Sequence, residues 1–276
     1  MLILQGDIMK RLKYENKVAV VTGASSGIGR EICKILTQKY GCRVFGVARR
    51  VKKLEAMREE LGPDKFLCCC MDARDEKSWE KLANYFQNTD TSPDILINCA
   101  GILPKFASVD NEAAGVSETA MGVNYFSAVY SYRHIGRLLN DGGAVINVSS
   151  ASALCPFAGV ASYSASKAAL QRYTECLARE EKRKSVSAVM PGFVKTEIMK
   201  NQDASPKEEK LIAHFSKSPE KVAKKILKRG SKRKKRTVIG FDGHFMSITY
   251  RLFPNFAPWL FSKFMKGSKM ELFKDV

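Results

Sequence analysis

The chain has 276 residues, of which 45% are hydrophobic and 27% are charged, and its formal net charge is +18. A chain of this size can bury one large core, and no stretch of about 18 uncharged apolar residues is present to span a membrane as a helix. Only three histidines, and cysteines without paired metal-ligand spacing, argue against a zinc site.

The cysteines and the N-terminus bear on the compartment. Eight cysteines, three of them consecutive, are typical of reduced, small apolar side chains in an intracellular protein. The opening MLIL is too short for a signal peptide core, and Met9 is an alternative start because the patterned sequence begins just after it. We therefore expect a cytoplasmic protein with a flexible N-terminus over residues 1–14.

Apolar, β-rich runs alternate with helical patterns along most of the chain. Such alternation requires parallel strands with right-handed crossovers, so helices cover both faces of one sheet. The sequence thus predicts an α/β fold with a doubly wound, parallel, seven-stranded sheet. Strands are predicted at Lys17–Thr22, Arg43–Ala48, Lys65–Met71, Asp94–Asn98, Gly143–Ser149, Val186–Met190 and Thr237–Gly240. Helices are predicted up to about Tyr40, at Val51–Leu61 and Asp75–Gln87, and near Asn111–Leu139 and Ser162–Lys182.

Two segments fall outside this alternation. Residues 196–218 are polar and charged, and they follow a strand end, where ligands bind in such sheets, so they predict a mobile substrate lid. Residues 241–276 follow the last strand and are rich in aromatic side chains. We therefore divide the chain into a main domain, residues 1–240, and an apolar and basic C-terminal extension, residues 241–276.

A glycine-rich turn joins the first predicted strand to the first helix. Its glycines follow the pattern G-x-x-x-G-x-G, which lets the backbone turn tightly and approach a pyrophosphate resting on the helix N-terminus. Its position between a strand and a helix favours a dinucleotide site over a plain βα turn. The candidate contacts are Gly23, Ser25, Ser26, Gly27, Ile28 and Gly29.

The end of the second strand bears on which dinucleotide is bound. NAD-binding domains place an acid about 20 residues further along to hold the ribose 2′-hydroxyl. Here the strand ends in Arg49 and Arg50, and guanidinium groups suit a 2′-phosphate. The sequence favours NADP(H) over NAD(H); the alternative is that both arginines are merely solvent-exposed.

Tyr163 and Lys167 are four residues apart, so a helix places them on one face, one turn from each other. A phenol with a pKa near about 10 is a poor proton donor or acceptor at neutral pH, and an adjacent ammonium lowers that pKa. The pair alone is also typical of a lysine that snorkels beside a half-buried ring. Its meaning therefore depends on the other motifs.

Together, these motifs resemble those of the short-chain dehydrogenase/reductase family over about residues 15–240. They occur in the family's order, each at the carboxyl end of a predicted strand or on an adjacent helix. The resemblance implies a Rossmann-type fold and a nicotinamide dinucleotide. After the glycine turn, the matching residues are Asp72 with Ala73, Asn98 with Ala100 and Gly101, Asn124, Ser149 with Ser150, Tyr163 with Lys167, and Pro191 and Gly192 with Val194 and Thr196.

The resemblance also implies the proton chemistry. Tyr163 would be the general acid in reduction and the base in oxidation. Lys167 would lower the pKa of Tyr163 and hold the nicotinamide ribose, and Asn124 would support a water relay that ends at Lys167.

The remaining roles follow from the same resemblance. Ser150 lies thirteen residues before Tyr163, which is the family's spacing for the serine that hydrogen-bonds the substrate carbonyl; Ser149 and Ser152 are the weaker candidates. Asp72 would contact the adenine. The other implied cofactor contacts are Ala73, Asn98, Ala100, Gly101, Pro191, Gly192, Val194 and Thr196.

The C-terminal extension is longer and more apolar than a minimal family member needs. Pro254 and Pro258 interrupt it, which predicts short helices with an apolar face and not one continuous helix. With the basic run at residues 228–236, such a face suits a peripheral membrane contact. It can equally cover the substrate cleft or form a subunit interface. In each case apolar residues lie near the pocket, which favours a hydrophobic, hydroxysteroid-like or long-chain keto-lipid substrate.

The sequence therefore favours an NADP(H)-dependent oxidoreductase that interconverts a ketone or aldehyde with an alcohol. The alternative is a non-catalytic dinucleotide-binding sensor or scaffold, which has no physical need of the complete proposed catalytic set. The resemblance implies a homo-oligomer, a dimer or tetramer, formed through the helices near residues 111–139 and 162–182. The positive charge attracts anionic surfaces in general, but no nucleic-acid motif accompanies it, so nucleic acid is expected at most as a side activity.

Overall fold

A computed structural model of the chain describes residues 12–199, 202, 204–208, 210, 216–267 and 270–276. Of the predicted flexible N-terminus, residues 1–14, the first eleven lie outside the described residues. Its last part differs from the prediction, because Leu12 and Tyr14 are buried and the Tyr14 hydroxyl donates to the carbonyl of Leu227 at 2.8 Å. The chain is therefore anchored to the main domain by residue 12.

The described part of the chain forms one sheet of seven parallel strands, as predicted, and the structure gives their order as β3-β2-β1-β4-β5-β6-β7. The strands consist of near-continuous apolar runs because helices bury both of their faces. Each lies within two residues of its predicted position at either end. The strands are β1 Val18–Thr22, β2 Arg43–Ala48, β3 Phe66–Cys70, β4 Ile95–Asn98, β5 Ala144–Val148, β6 Ser185–Pro191 and β7 Arg236–Ile239.

Helices cover both faces of this sheet. One core layer contains side chains from α1, α2 and α7, and the other contains side chains from α3, α6 and the end of the α5 region. Alternate residues of each strand point into alternate layers, as Val44 and Phe45 of β2 do. The helices are α1 Gly27–Lys34, α2 Val51–Leu61, α3 Glu76–Asn88, α4 Val116–Met121, α5 Ser127–His134, α6 Ala161–Glu180, α7 Pro219–Ser231, α8 Phe241–Leu252 and α9 Phe256–Gly267.

The order of the strands sets the place of the site. The chain runs outward from β1 to β3 and then returns to pair β4 with the other side of β1, so the carboxyl ends of β1 and β4 flank the switch point where such sheets bind ligands. The hydroxyl of Thr22 ties these ends together, because it accepts hydrogen bonds from the backbone N–H groups of Cys99 and Ala100, each at 2.9 Å.

The C-terminal extension forms two helices, which confirms the interrupted helix predicted from its prolines. Pro254 lies in the break between α8 and α9, and Pro258 lies in the first turn of α9, where a helix tolerates proline. No helix within the described residues is long and apolar enough to cross a bilayer.

The basic run does not flank these two helices as expected. Residues 228–236 end at the amino end of β7, whereas α8 starts beyond the carboxyl end of that strand. A strand of four residues spans about 13 Å, so the positive charge and the aromatic helices lie at opposite ends of β7.

Candidate active site

The glycine turn after β1 is built for close approach of another molecule's backbone or phosphates. Gly23 and Gly27 have φ angles of +68° and +53°, and a Cβ on Gly23 would lie 3.0 Å from the backbone nitrogen of Ala100. A Cβ on Gly29 would collide with the carbonyl of Gly23. The glycines thus let the turn fold tightly against the loop after β4, and the N-terminus of α1 lines the cavity, as a pyrophosphate cradle requires.

Arg50 is built into this turn. Its Nε and Nη2 atoms donate to the hydroxyl of Ser25 at 3.1 and 2.9 Å, and Nη2 also donates to Ser26. By contrast, Arg49 has a side chain that is 63% exposed and lies 3.9 Å from Asp72. The sequence predicts the same role for Arg49 and Arg50, whereas in the structure only Arg50 contacts the glycine turn.

A cavity of about 410 Å³ runs from this turn across the carboxyl edge of the sheet. It is lined by Tyr163, Lys167 and Ser150 and by every predicted cofactor contact except Asn98. Those contacts are Gly23, Ser25, Ser26, Gly27, Ile28, Gly29, Arg49, Arg50, Asp72, Ala73, Ala100, Gly101, Pro191, Gly192, Val194 and Thr196.

Asn98 is the one predicted cofactor contact that does not line the cavity. The side chain is 3% exposed and points into the core, where its amide donates to Asn147 at 2.8 Å and its oxygen accepts from Ser131 at 2.8 Å. Because both polar ends are satisfied there, Asn98 links β4 to β5 and does not reach the cavity.

Tyr163 and Lys167 lie in the first two turns of α6, facing the end of β5. Ser150 lies beside the Tyr163 hydroxyl and favours its ionised form. The Nζ atom of Lys167 donates to the carbonyl of Val148 at 3.1 Å and lies 6.0 Å from the centre of the Tyr163 ring. Ser149 is occupied, because its hydroxyl donates to the Lys167 carbonyl at 2.7 Å. Of the two adjacent serines, Ser150 is therefore the one that faces the tyrosine.

The electrostatics of this pair differ from the expectation. Burial raises the pKa of Tyr163, and the hydrogen bond with Ser150 only partly offsets it. Burial also lowers the pKa of Lys167 to about 8. The ammonium is directed at Val148 and the tyrosine ring and not at the phenol oxygen, so the protein alone does not produce the lowered tyrosine pKa that was predicted.

Asn124 lies behind the cavity wall, in a π-helical turn, Gly122–Phe126, between α4 and α5. Its side-chain oxygen accepts from the backbone N–H of Ile102 at 2.8 Å, and its amide donates to the Ile102 carbonyl at 3.0 Å and to Ser166 at 2.9 Å. A Cβ on Gly101 would lie 3.2 Å from Asn124 Oδ1 and 3.1 Å from Lys167 Nζ. A side chain at this position would fit only if one of the two groups of the predicted relay moved by a few tenths of an ångström.

Three polar residues near Asp72 and Arg50 were not predicted from the sequence: Lys53, Arg74 and Glu197. Arg74 donates to both carboxylate oxygens of Asp72, at 2.7 to 3.2 Å, and these hydrogen bonds lower the pKa of Asp72. Glu197 pairs with Arg50 and with Lys53. No spacing signal links Glu197 to residues about 147 positions earlier in the chain, so only the fold reveals the cluster.

The other end of the cavity is apolar. Phe157 and Met246 line it near α8, and Leu103, Phe106 and Met199 line it in the cluster that includes Tyr163.

The C-terminal residues return to this end of the cavity. The ring of Phe273 lies 5.2 Å from that of Phe106, and the carbonyl of Asp275 accepts from the Ser108 backbone N–H at 2.7 Å. The last residues of the extension thus pack against the substrate end, as one of the sequence-based alternatives proposed.

The predicted lid is only partly within the described residues. Positions 200, 201, 203, 209 and 211–215 lie outside them. Within them, Gln202 is buried, accepts from the backbone N–H of Phe106 at 3.0 Å and donates to the Pro104 carbonyl at 2.9 Å. This amide joins the segment after β6 to the loop after β4. Within the described part of the chain, no group of three His, Cys, Asp or Glu side chains is placed to hold a metal.

A sequence model of the short chain dehydrogenase family matches residues 17–207. The chain is a member of this family. Its members are oxidoreductases that act on alcohol or carbonyl groups with a nicotinamide dinucleotide, and the cradle described above fits such a cofactor.

Several relatives of this short-chain dehydrogenase are named as reductases. A benzil reductase ((S)-benzoin forming) of Saccharomyces cerevisiae is 32% identical over 195 residues, which cover 67% of this chain and 74% of the relative. A fatty acyl-CoA reductase of Acinetobacter baylyi is 31% identical over 253 residues, covering 89% of this chain and 83% of the relative. A short chain dehydrogenase from Burkholderia cenocepacia, solved in complex with NADP, is 26% identical, with a TM-score of 0.74 and coverage of 88% and 96%.

Proposed function

We propose that this short-chain dehydrogenase is an NADP(H)-dependent oxidoreductase that interconverts a hydrophobic ketone or aldehyde with its alcohol. The observation that carries the proposal is the placement of Tyr163 and Ser150 side by side in the lining of one cavity, where the dinucleotide cradle meets its apolar end. The hydride is the contribution of the nicotinamide when it is bound.

The side chains then have separate tasks in reduction. Ser150 donates a hydrogen bond to the substrate oxygen and holds it beside Tyr163, which gives its phenolic proton to that oxygen as negative charge develops there. Because burial raises the pKa of Tyr163, the phenol is protonated at neutral pH and is ready to act as the acid. General acid catalysis of this kind contributes about 10²–10⁴-fold to the rate.

Lys167 and Asn124 support this transfer from behind. The ammonium of Lys167 is 4% exposed and held at the carbonyl of Val148, close to where the nicotinamide ribose hydroxyls are expected. Asn124 fixes the backbone at Ile102 and the side chain of Ser166, one residue before Lys167. We propose that this framework leads protons through water towards Lys167 and returns one to Tyr163 after each turnover.

The preference for NADP(H) is supported by the surroundings of Arg50. Its guanidinium and the hydroxyls of Ser25 and Ser26 form a set of donors suited to a phosphate, at the place where NAD-binding domains have an acid. The related structure from Burkholderia cenocepacia, which contains NADP, is consistent with this preference.

The lining of the substrate end favours an apolar substrate. Its walls are formed mainly by Leu103, Phe106, Phe157, Met199 and Met246, and benzil reductase and fatty acyl-CoA reductase are among the relatives. Long-chain keto-lipids and hydroxysteroid-like compounds are therefore the first candidates. A dinucleotide-binding sensor remains the alternative, but a sensor has no use for a serine beside a half-buried tyrosine at the mouth of an apolar pocket.

A homologous series of unbranched aldehydes tests the substrate class. We expect kcat/KM with NADPH to rise by up to about fourfold for each added methylene until the apolar end is filled, because burying one methylene contributes about 0.8 kcal/mol. The check is the initial rate of NADPH consumption along the series. A kcat/KM that is independent of chain length would contradict a hydrophobic substrate, and no turnover of any aldehyde or ketone would favour the sensor.

The faces of α8 and α9 expose an unusual number of large apolar side chains. Phe241 is 84% exposed, and Lys263 lies 4.9 Å from the centre of the Trp259 ring. Met246, on the same pair of helices, lines the cavity. We propose that this aromatic face docks on an anionic membrane surface, since it combines interfacial aromatics with Arg251 and Lys263 in a protein of net charge +18. Among the described residues, the other large apolar side chains exposed on this aromatic face are Phe245, Ile248, Leu252, Phe253, Phe256 and Leu260.

Vesicle flotation tests this docking. The wild-type protein is expected to float with vesicles that contain phosphatidylglycerol and much less with neutral phosphatidylcholine vesicles. The double variant Phe241→Ser, Trp259→Ser should remain unbound, whereas Val109→Ser, at a 69% exposed valine elsewhere, should float like the wild type. If the double variant instead changes the sedimentation of the protein while the wild type binds no vesicles, the aromatic face is a contact between copies of the chain.

We propose that subunits associate through the surface of α5 and α6, as the family resemblance implies. Aromatic side chains gather there, with Tyr125 against Tyr173 at 5.9 Å and Phe126 stacked on Tyr130 at 6.0 Å. Phe126 is 41% exposed, which leaves part of this cluster available to a second copy.

A further inference from the structure

Glu197 opens the short 3₁₀ turn Glu197–Met199 after β6, and its carboxylate lies between two cations. Its Oε2 atom accepts from Arg50 Nη1 at 2.7 Å and from Lys53 Nζ at 2.8 Å, and its Oε1 atom accepts from Lys53 Nζ at 2.7 Å. The hydrogen bonds from Lys53 and Arg50 lower the pKa of Glu197 to about 2, so the carboxylate is ionised at neutral pH. The proton chemistry proposed for Tyr163 makes no use of it.

The groups around this carboxylate form an anion site. Arg50 also donates to the hydroxyls of Ser25 and Ser26, so a guanidinium, an ammonium and two hydroxyls meet in one place. A phosphate monoester carries close to two negative charges and three acceptor oxygens, which matches this set of donors better than one carboxylate does. The carboxylate of the chain itself therefore stands where an external phosphate would bind.

The turn that carries Glu197 also reaches the substrate end. Ile198 and Met199 follow directly and pack in the cluster that contains Phe106 and Tyr163. A change at the carboxylate is thus one or two residues away from side chains that shape the apolar pocket.

We propose that Glu197 is an internal anion that occupies the subsite of the cofactor's 2′-phosphate, and that a phosphate bound there displaces it and shifts Ile198 and Met199. This inference rests on the proposed preference for NADP(H). The two anions compete because both cannot approach the same two cations without mutual repulsion. The substrate end would then respond to the 2′-phosphate, which NAD(H) lacks.

Calorimetric titration of the full chain with 2′,5′-ADP and with 5′-AMP tests the competition without turnover. Glu197→Gln removes the competing charge, so we expect it to tighten binding of 2′,5′-ADP about tenfold and to leave that of 5′-AMP within about twofold. The matched control is Glu60→Gln, which removes the same charge from a carboxylate that pairs with Arg30 and Lys34 and touches neither Arg50 nor Lys53. It should leave both affinities within about twofold of the wild type.

Hydrogen exchange of the ligand-free proteins tests the link to the pocket. The backbone amides of residues 196–199 should exchange faster in Glu197→Gln than in the wild type and in Glu60→Gln. Equal or weaker binding of 2′,5′-ADP by Glu197→Gln, or unchanged exchange, would overturn the proposed displacement. A wild type that binds 5′-AMP as tightly as 2′,5′-ADP would contradict the NADP(H) preference instead, so the two failures are distinguishable.

Discussion

Replacement of Tyr163 by phenylalanine is expected to lower kcat for carbonyl reduction about 10³-fold while leaving the affinity for NADPH almost unchanged. The variant keeps the ring that packs beside Lys167 and loses only the hydroxyl, which lies beside Ser150. Binding should survive because the cradle at Gly23 and the cluster at Arg50 are remote from this hydroxyl. The measurement is a comparison of steady-state turnover with the NADPH dissociation constant from fluorescence titration.

The pH dependence should differ between the two directions of the reaction. Burial raises the pKa of Tyr163, so the phenol is protonated through the neutral range, and reduction, which needs the acid, should be independent of pH there. Oxidation needs the phenolate, so its rate should rise as the pH increases. A reduction rate that already falls at pH values well below the pKa of Lys167, which is about 8, would show that Tyr163 is not the acid. Retention of more than about a tenth of wild-type turnover by Tyr163→Phe would show the same, because removal of a general acid lowers the rate about 10²–10⁴-fold.

Arg50→Ala is expected to weaken NADPH binding about 10- to 100-fold and NADH binding much less, since hydrogen bonds to a charged group each contribute about 1.5–3 kcal/mol. The reason is local: this guanidinium is held by Ser25 and Ser26 at the glycine turn. The measurement is the ratio of the dissociation constants of NADPH and NADH for the wild type and the variant.

Arg49→Ala is the matched control for Arg50→Ala. The two residues are adjacent and carry the same charge, but Arg49 is largely exposed and lies only near Asp72, at 3.9 Å. We expect this variant to change the NADPH to NADH ratio by no more than about threefold, as for a screened surface charge. Equal losses for the two arginine variants would remove Arg50 from the 2′-phosphate site, and equal losses of NADPH and NADH affinity would remove the NADP(H) preference itself.

The strands were predictable because they are buried on both faces. Runs such as those of β1 and β5 are apolar almost without interruption, and the turn residues that flank them fix where each strand begins and ends. The motifs at the carboxyl ends of the strands were also predictable. Parallel strands all end at the same edge of a sheet, and this brings Gly23, Ser150 and Tyr163 to one cavity.

The failures concern groups whose environment depends on distant segments. Asn98 ends a strand like the other motif residues, but its amide finds partners on β5 and α5 and turns into the core. The preference between Arg49 and Arg50 is decided by the direction of each side chain at the end of β2, which composition and spacing do not encode. The ion pairs of Glu197 could not be predicted for a similar reason, because Arg50 and Lys53 lie across the sheet from the end of β6.

The most direct test of the proposed reaction follows the hydride itself. NADPH deuterated at its transferable position is incubated with the protein and a long-chain aldehyde, and the alcohol product is analysed by mass spectrometry. We predict one deuterium on the carbinol carbon for each NADPH consumed by the wild type, and almost no labelled alcohol with Tyr163→Phe at a saturating cofactor concentration. Absence of labelled alcohol with the wild type across hydrophobic aldehydes and ketones, despite tight NADPH binding, would contradict the assignment of the chain as a carbonyl reductase.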